Sequence, residues 1–146
     1  MNMPSRPLSK RKFEELSDLR YALRKFLRVS EDNARAEGLT PLQYQALLQV
    51  KGERRRGWVL VGELAERLQM HHHGAVALVS RCERARLVRR VRNDEDRRRV
   101  QIHLTAAGER AVQRVASRNR PELLSLARVV ELAAGAVEGV RGAPAR

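Results

Sequence analysis

The stretch Gly62-Glu-Leu-Ala-Glu-Arg-Leu68, the polar turn Gln69–His72 and the run His73 to Arg86 decide the fold of this chain. The first seven residues read as a two-turn helix with Leu64, Ala65 and Leu68 inward. In the third segment Ala75, Leu78, Val79 and Cys82 recur at i, i+3, i+4 and i+7, the spacing that gathers apolar side chains on one helix face. Two short helices joined by a tight turn make a helix-turn-helix, and the second helix of such a pair is the one that reads DNA.

Downstream, Leu87–Arg92 and Arg99–Leu104 are strand-like, with Val88, Val91, Val100, Ile102 and Leu104 as apolar members. The cluster Asn93-Asp94-Glu95-Asp96 between them is turn chemistry, so a β-hairpin wing follows the recognition helix. Upstream, Trp58–Val61 is short and β-branched and reads as a brief strand. Thr40 caps a helix opened by Pro41, whose missing N–H costs nothing at that position. Its apolar side is Leu42, Tyr44, Ala46, Leu47, Leu48 and Val50. Farther out, residues 9–37 form a long amphipathic helix that Ser9 can cap and Gly38 stops. Phe13, Leu16, Leu19, Leu23, Phe26 and Leu27 recur along it at three- and four-residue steps. Thr105 caps a helix from Ala106 to about Asn119, and Pro121 opens a last helix that Gly135 and Gly139 fray.

The predicted fold is therefore mainly α with a small β-hairpin wing, an α+β winged helix-turn-helix with N- and C-terminal dimerisation helices. Residues 1–146 make a single domain, with 40–104 as the winged-helix region and 9–37 and 105–140 as dimerisation helices. These arms carry more apolar surface than one small winged domain can cover, which suggests a homodimer.

Composition narrows the function. The 146 residues carry 30 Lys plus Arg against 17 Asp plus Glu, a formal charge of +13, and such a surplus points to a polyanion. Its distribution says more than its total. Arg84, Arg86, Arg89, Arg90, Arg92, Arg97, Arg98 and Arg99 face only Asp94, Glu95 and Asp96, so the charge is concentrated around the wing. No stretch approaches the ~18–20 uncharged apolar residues of a membrane span. The N-terminal MNMPSRPLSKRKFEEL has no apolar run behind its basic residues, so no secretory signal is expected. The single cysteine, Cys82, fits a reducing cytoplasm without disulfides. No phosphate loop or nucleophile motif is present, so the chain is not expected to be an enzyme.

On the recognition helix, the face opposite Ala75 and Leu78 presents His72, His73, Val76, Ala77, Ser80, Arg81 and Arg84. Residues at the helix N-terminus reach base edges and later ones meet phosphates. His72 and His73 are the candidate base contacts, and Gly74 and Ala77 leave room for close approach. Arg81 and Arg84 are the candidate phosphate contacts, or one of them pairs with Glu83 or the wing. Successive histidines diverge by about 100° around a helix, which discourages joint chelation, so neither metal nor cofactor is expected. Cys82 lies on the inward face and reads as a structural core residue.

The chain resembles the multiple-antibiotic-resistance regulator (MarR) family of dimeric winged-helix transcription factors. The resemblance covers roughly residues 10 to 125. It rests on Gly38-Leu-Thr-Pro-Leu-Gln-Tyr-Gln-Ala-Leu-Leu48, on Val61-Gly-Glu-Leu-Ala-Glu-Arg-Leu68, and on Asp96-Arg-Arg98 followed by Val100, Ile102, Leu104-Thr105 and Ala107-Gly-Glu109, in that order. Two positions depart from the family pattern. Arg86 stands where a glycine is usual, and His71-His-His-Gly74 replaces the usual small hydroxyl and basic residues.

The resemblance implies an intertwined two-fold dimer. It also implies a wing-tip arginine in the minor groove, Arg98, held by Asp96, with Arg97 beside them at the DNA. Finally, it implies a cleft for a small phenolic or lipophilic effector, for which Phe13, Tyr21, Phe26, Tyr44 and Trp58 are the candidate lining residues. The expected function is sequence-specific duplex-DNA binding by a cytoplasmic repressor acting on a pseudo-palindromic operator. The competing reading is a largely sequence-indifferent nucleoid or RNA-binding protein, against which the 3% aromatic content offers few stacking platforms.

Overall fold

The structure, a computed structural model, describes residues 6–96 and 98–138. The element order is α1 (Lys10–Ala36), α2 (Pro41–Lys51), β1 (Trp58–Leu60), α3 (Val61–Arg67), α4 (His72–Arg84), β2 (Val88–Arg92), β3 (Val100–Leu104) and α5 (Ala106–Glu138). Residues 30–118 form one compact unit. The described residues of 1–29 and 119–146 form a second.

In the first unit, local chemistry sets each boundary. Gly38 adopts φ +77°, a conformation that costs glycine little, and turns the chain at the end of α1. Thr40 Oγ1 accepts the Gln43 N–H at 3.1 Å while Gln43 Oε1 accepts the Thr40 N–H at 3.0 Å, a reciprocal capping box that starts α2. The three strands form an antiparallel sheet in the order β1-β3-β2. Val59 pairs with Ile102 on one side of β3, and Arg90 pairs with Ile102 on the other. Leu64, Leu78, Ile102, Val112 and Val115 are buried together with Ala75, Val79 and Cys82, so the i, i+3, i+4, i+7 face of α4 is the core face. On α2, Tyr44, Ala46, Leu47 and Val50 are inside, whereas Leu42 and Leu48 remain exposed.

In the second unit the arms leave much of their apolar surface uncovered. Phe13, Leu16, Leu23 and Leu27 on α1, with Leu123, Leu124, Val130 and Leu132 on α5, are all exposed.

One boundary expected from sequence is corrected. Pro121 does not open a new helix. Instead, α5 runs continuously from Ala106 through Pro121 and Gly135 to Glu138. A proline inside a helix forfeits one backbone bond and costs about 3 kcal/mol. Here it is embedded among good helix formers, including Arg120, Glu122, Leu123 and Leu124, with no glycine nearby to end the helix. Ser125 Oγ additionally donates to the Pro121 carbonyl at 3.3 Å.

Candidate nucleic-acid interface

The α4 helix presents two chemically distinct faces. Opposite its buried side, His72, His73, Ala77, Arg81 and Arg84 are all exposed, and Gly74 is half-buried. A Cβ on Gly74 would meet only the end of the Met70 side chain, at 3.2 Å, so this position leaves the helix surface low rather than satisfying a backbone demand. The His71 and His73 rings stack in parallel, 5.7 Å apart. His71 is the N-cap residue of α4 and gives it no side-chain cap bond. Among the described residues, no three His, Cys, Asp or Glu side chains gather to hold a metal ion.

At the wing tip, Asn93 Oδ1 accepts the Glu95 N–H and Asp96 Oδ1 accepts the Arg98 N–H, both at 3.0 Å. Asp96 thus meets Arg98 through the backbone N–H of that residue. Its carboxylate orders the backbone of the turn, and among the described residues no ion pair joins the two side chains. Asp96 and Arg98 are exposed; Arg97 lies outside the described residues.

The wing is fastened to α4 by Arg90, a residue that pattern reading does not single out. From β2, its Nη2 donates to Ser80 Oγ at 2.6 Å and to the Val76 carbonyl at 3.2 Å, and its backbone N–H donates to Glu83 Oε2 at 3.1 Å. An ion pair with Glu83 at 3.5 Å completes the clamp. Among the described residues Glu83 pairs with the wing residue Arg90, and neither Arg81 nor Arg84 forms an ion pair with it. Ser80, expected on the free face, is spent internally. The clamp joins residues 7 to 14 positions apart on a helix and a strand, which no periodicity reports.

A second joint fixes where the wing leaves α4. Arg86 adopts φ +59° and turns the chain out of the helix. Thr105 Oγ1 donates to the Arg86 carbonyl at 2.6 Å, and the Thr105 N–H donates to the Leu87 carbonyl at 3.1 Å. Gly108 lies so close beneath that a Cβ there would stand 2.0 Å from the Leu87 oxygen. Cys82, beside this joint, is 1% exposed, and burial pushes its thiol up to about 11, with Arg81 opposing weakly. It is a protonated core side chain at neutral pH.

Two further ionic sites organise the unit around this surface. Glu37 accepts from Arg114 at 2.8 Å and Arg118 at 2.7 Å. The Arg114 hydrogen bond foremost holds its carboxyl below the usual range, against some desolvation and with help from Arg118. Arg56 forms a two-pronged pair with Glu63, at 2.6 and 3.2 Å, and its guanidinium lies 4.3 Å over the Trp58 ring. That pairing is the main cause of a lowered Glu63 carboxyl.

The five aromatic residues expected to line an effector cleft have different surroundings. Tyr44 is 6% exposed and belongs to the core of residues 30–118. Trp58 packs on His103, with ring centres 6.1 Å apart, and under Arg56. In the other unit, Phe13 and Tyr21 are exposed and Phe26 is half-buried. Tyr21 lines a cavity of about 460 Å3 with Ala22, Leu126, Val129, Glu15 and Asp18. Among the described residues, the buried Glu15 Oε2 has no hydrogen-bond partner.

A helix-turn-helix followed by a two-stranded wing, with β1 closing the sheet, defines a winged-helix protein. Residues 37–99 match the model of the MarR family. The chain is 29% identical over 125 residues to the HTH-type transcriptional regulator YsmB of Bacillus subtilis, covering 83% of this chain and 80% of that one. It is 32% identical over 73 residues to the HTH-type transcriptional repressor MdtR of the same organism, covering 50% of this chain and 45% of that one. Among solved structures, a MarR family protein from Bacillus stearothermophilus superposes with a TM-score of 0.69 at 29% identity, covering 82% of each chain. The chain is thus similar to winged-helix transcriptional regulators of the MarR family, over residues 37–99 for the family model and over most of its length for YsmB and the Bacillus stearothermophilus protein. Among the described residues, no helix is long and apolar enough to cross a membrane.

Proposed function

We propose that this chain is a repressor, not an enzyme, and that it binds duplex DNA as a homodimer on a pseudo-palindromic operator. The observation that carries the reading is the exposed α4 face of His72, His73, Ala77, Arg81 and Arg84, clamped by Arg90 to an arginine-rich wing. A recognition helix enters the major groove, where small residues at its N-terminal end admit close approach to base edges. The guanidinium of Arg98 at the exposed wing tip suits the narrow, negative minor groove of A·T-rich DNA.

The homodimer reading is supported by the uncovered apolar side chains of α1 and α5. Phe13 is 57% exposed, Leu124 59% and Leu132 72%, large apolar side chains that a second copy would take out of water. The repressor reading is supported by the likeness to MdtR. Release by a small lipophilic effector is supported by the cavity beside Tyr21, whose volume falls within the range of small-molecule sites.

Replacing Arg98 by alanine tests the DNA reading. Operator affinity falls by about 1–3 kcal/mol if Arg98 enters the minor groove, whereas wild-type affinity removes it from the interface. A specificity ratio near one against random duplex would favour the sequence-indifferent binder instead.

A further inference from the structure

A second basic cluster lies apart from the wing, where the loop between α2 and β1 meets α3. Arg54, Arg55, Arg56 and Arg67 line a cavity of about 650 Å3 together with Glu53 and Glu63. Both carboxylates are already committed. Glu53 Oε2 accepts the backbone N–H groups of Arg55, Arg56 and Gly57, and Glu63 holds the Arg56 guanidinium and the Leu60 N–H. Arg56 is thus locked against Glu63 and Trp58 as a wall of the cavity. Arg54 and Arg55 are exposed, and among the described residues neither side chain makes an ion pair. Arg67 is held through Nε by Gln49 at 2.9 Å, which leaves its two terminal nitrogens for another acceptor.

The result is a pre-ordered loop, stapled to α3 by the Arg56–Glu63 pair, with three guanidinium groups that make no ion pair among the described residues, Arg54 and Arg55 on the loop and Arg67 on α3. That helix is the first of the helix-turn-helix, the one that crosses the DNA backbone while the second enters the groove. We propose that Arg54, Arg55 and Arg67 form a third DNA-binding site, which takes backbone phosphates flanking the segment read by α4 and the wing. Guanidinium groups suit this task because they bind phosphate oxygens in pairs and stay charged. The site carries no base readout, so it adds affinity and footprint without altering sequence preference. The inference rests on the DNA reading above.

The test compares the full chain with its Arg54→Gln/Arg55→Gln variant on a long duplex of random sequence and on one trimmed to the groove-reading segment. Every phosphate that is no longer neutralised flattens the slope of log affinity against log salt by about 0.9. A dimer that neutralises one or two fewer phosphates per subunit should therefore flatten by roughly 2 to 3.5 on the long duplex, and the two proteins should coincide on the trimmed one. Arg67→Gln should flatten the slope in the same direction from a different element. An unchanged slope and affinity for these variants, with wild-type protein binding normally, would overturn the third site alone. Wild-type protein that binds no duplex would instead defeat the DNA reading and this inference with it.

Discussion

Arg86→Gly should make the protein more stable, although it deletes a long side chain and adds none. Arg86 sits at φ +59° where α4 hands over to β2, and an L-residue pays roughly 1–2 kcal/mol for that conformation. Glycine escapes this cost but gives back about 0.4–1 kcal/mol because its unfolded chain is freer. The net expectation is a gain of about 0.5–1 kcal/mol. Nothing that holds the joint is removed, because the Arg86 hydrogen bonds to Glu83 and Thr105 run through its backbone N–H and carbonyl. Urea unfolding followed by circular dichroism should show a higher midpoint with an unchanged slope. The reciprocal change Gly38→Ala, at φ +77° with open space around it, should lose about 1 kcal/mol. An Arg86→Gly protein that unfolds at or below the wild-type urea concentration would refute the strain argument and assign the arginine side chain a stabilising role.

Three other outcomes follow from the same surface. Gly108→Ala places a Cβ 2.0 Å from the Leu87 carbonyl, so the wing joint must open; calorimetry should register a loss of about 3 kcal/mol or more. Arg90→Lys keeps the charge but not the forked grip on Ser80, Val76 and Glu83. It should lower stability by about 1–2 kcal/mol and weaken duplex binding with the salt slope unchanged, since the Arg90 guanidinium is engaged with Ser80, Val76 and Glu83. The third outcome concerns Glu37, whose carboxyl is held below its ordinary 4.5 by Arg114 first and Arg118 second. A carboxyl depressed by folding adds stability above its unfolded value and loses it as pH falls through the folded one. The stability gap between wild type and Glu37→Gln should therefore be open at neutral pH and close under acid, as urea midpoints at the two pH values will show.

Much of this architecture is legible in the residues because it is written in short-range code. The buried face of α4 follows from Ala75, Leu78, Val79 and Cys82, and the start of α2 from Thr40, Pro41 and Gln43. Strand positions follow from β-branched runs bounded by a turn cluster. Arg86 stands out as a departure from a family glycine, and its positive φ gives that departure a physical meaning.

What escapes a reading of the residues is either non-local or a close competition. The Arg90 clamp and the Glu37–Arg114–Arg118 bridge join residues far apart in sequence. Pro121 carries a stop signal that its helix-forming neighbours outweigh. Tyr44 satisfies the composition of a ligand pocket and of a core equally well, and burial places it in the core. The backbone bond from the Arg98 N–H to Asp96 Oδ1 at the turn is likewise a detail that residue type does not specify.

In the proposed function, the α4 face and the wing of two subunits read duplex DNA as a symmetric pair. Selection of bound sites from a random duplex pool, or from fragments of the host genome, tests it most directly. A symmetric pair should enrich a pseudo-palindrome whose half-sites lie about 10–10.5 base pairs apart centre to centre, or a whole multiple of that. A bound pool no different in sequence from the input, at salt where binding is retained, would contradict it.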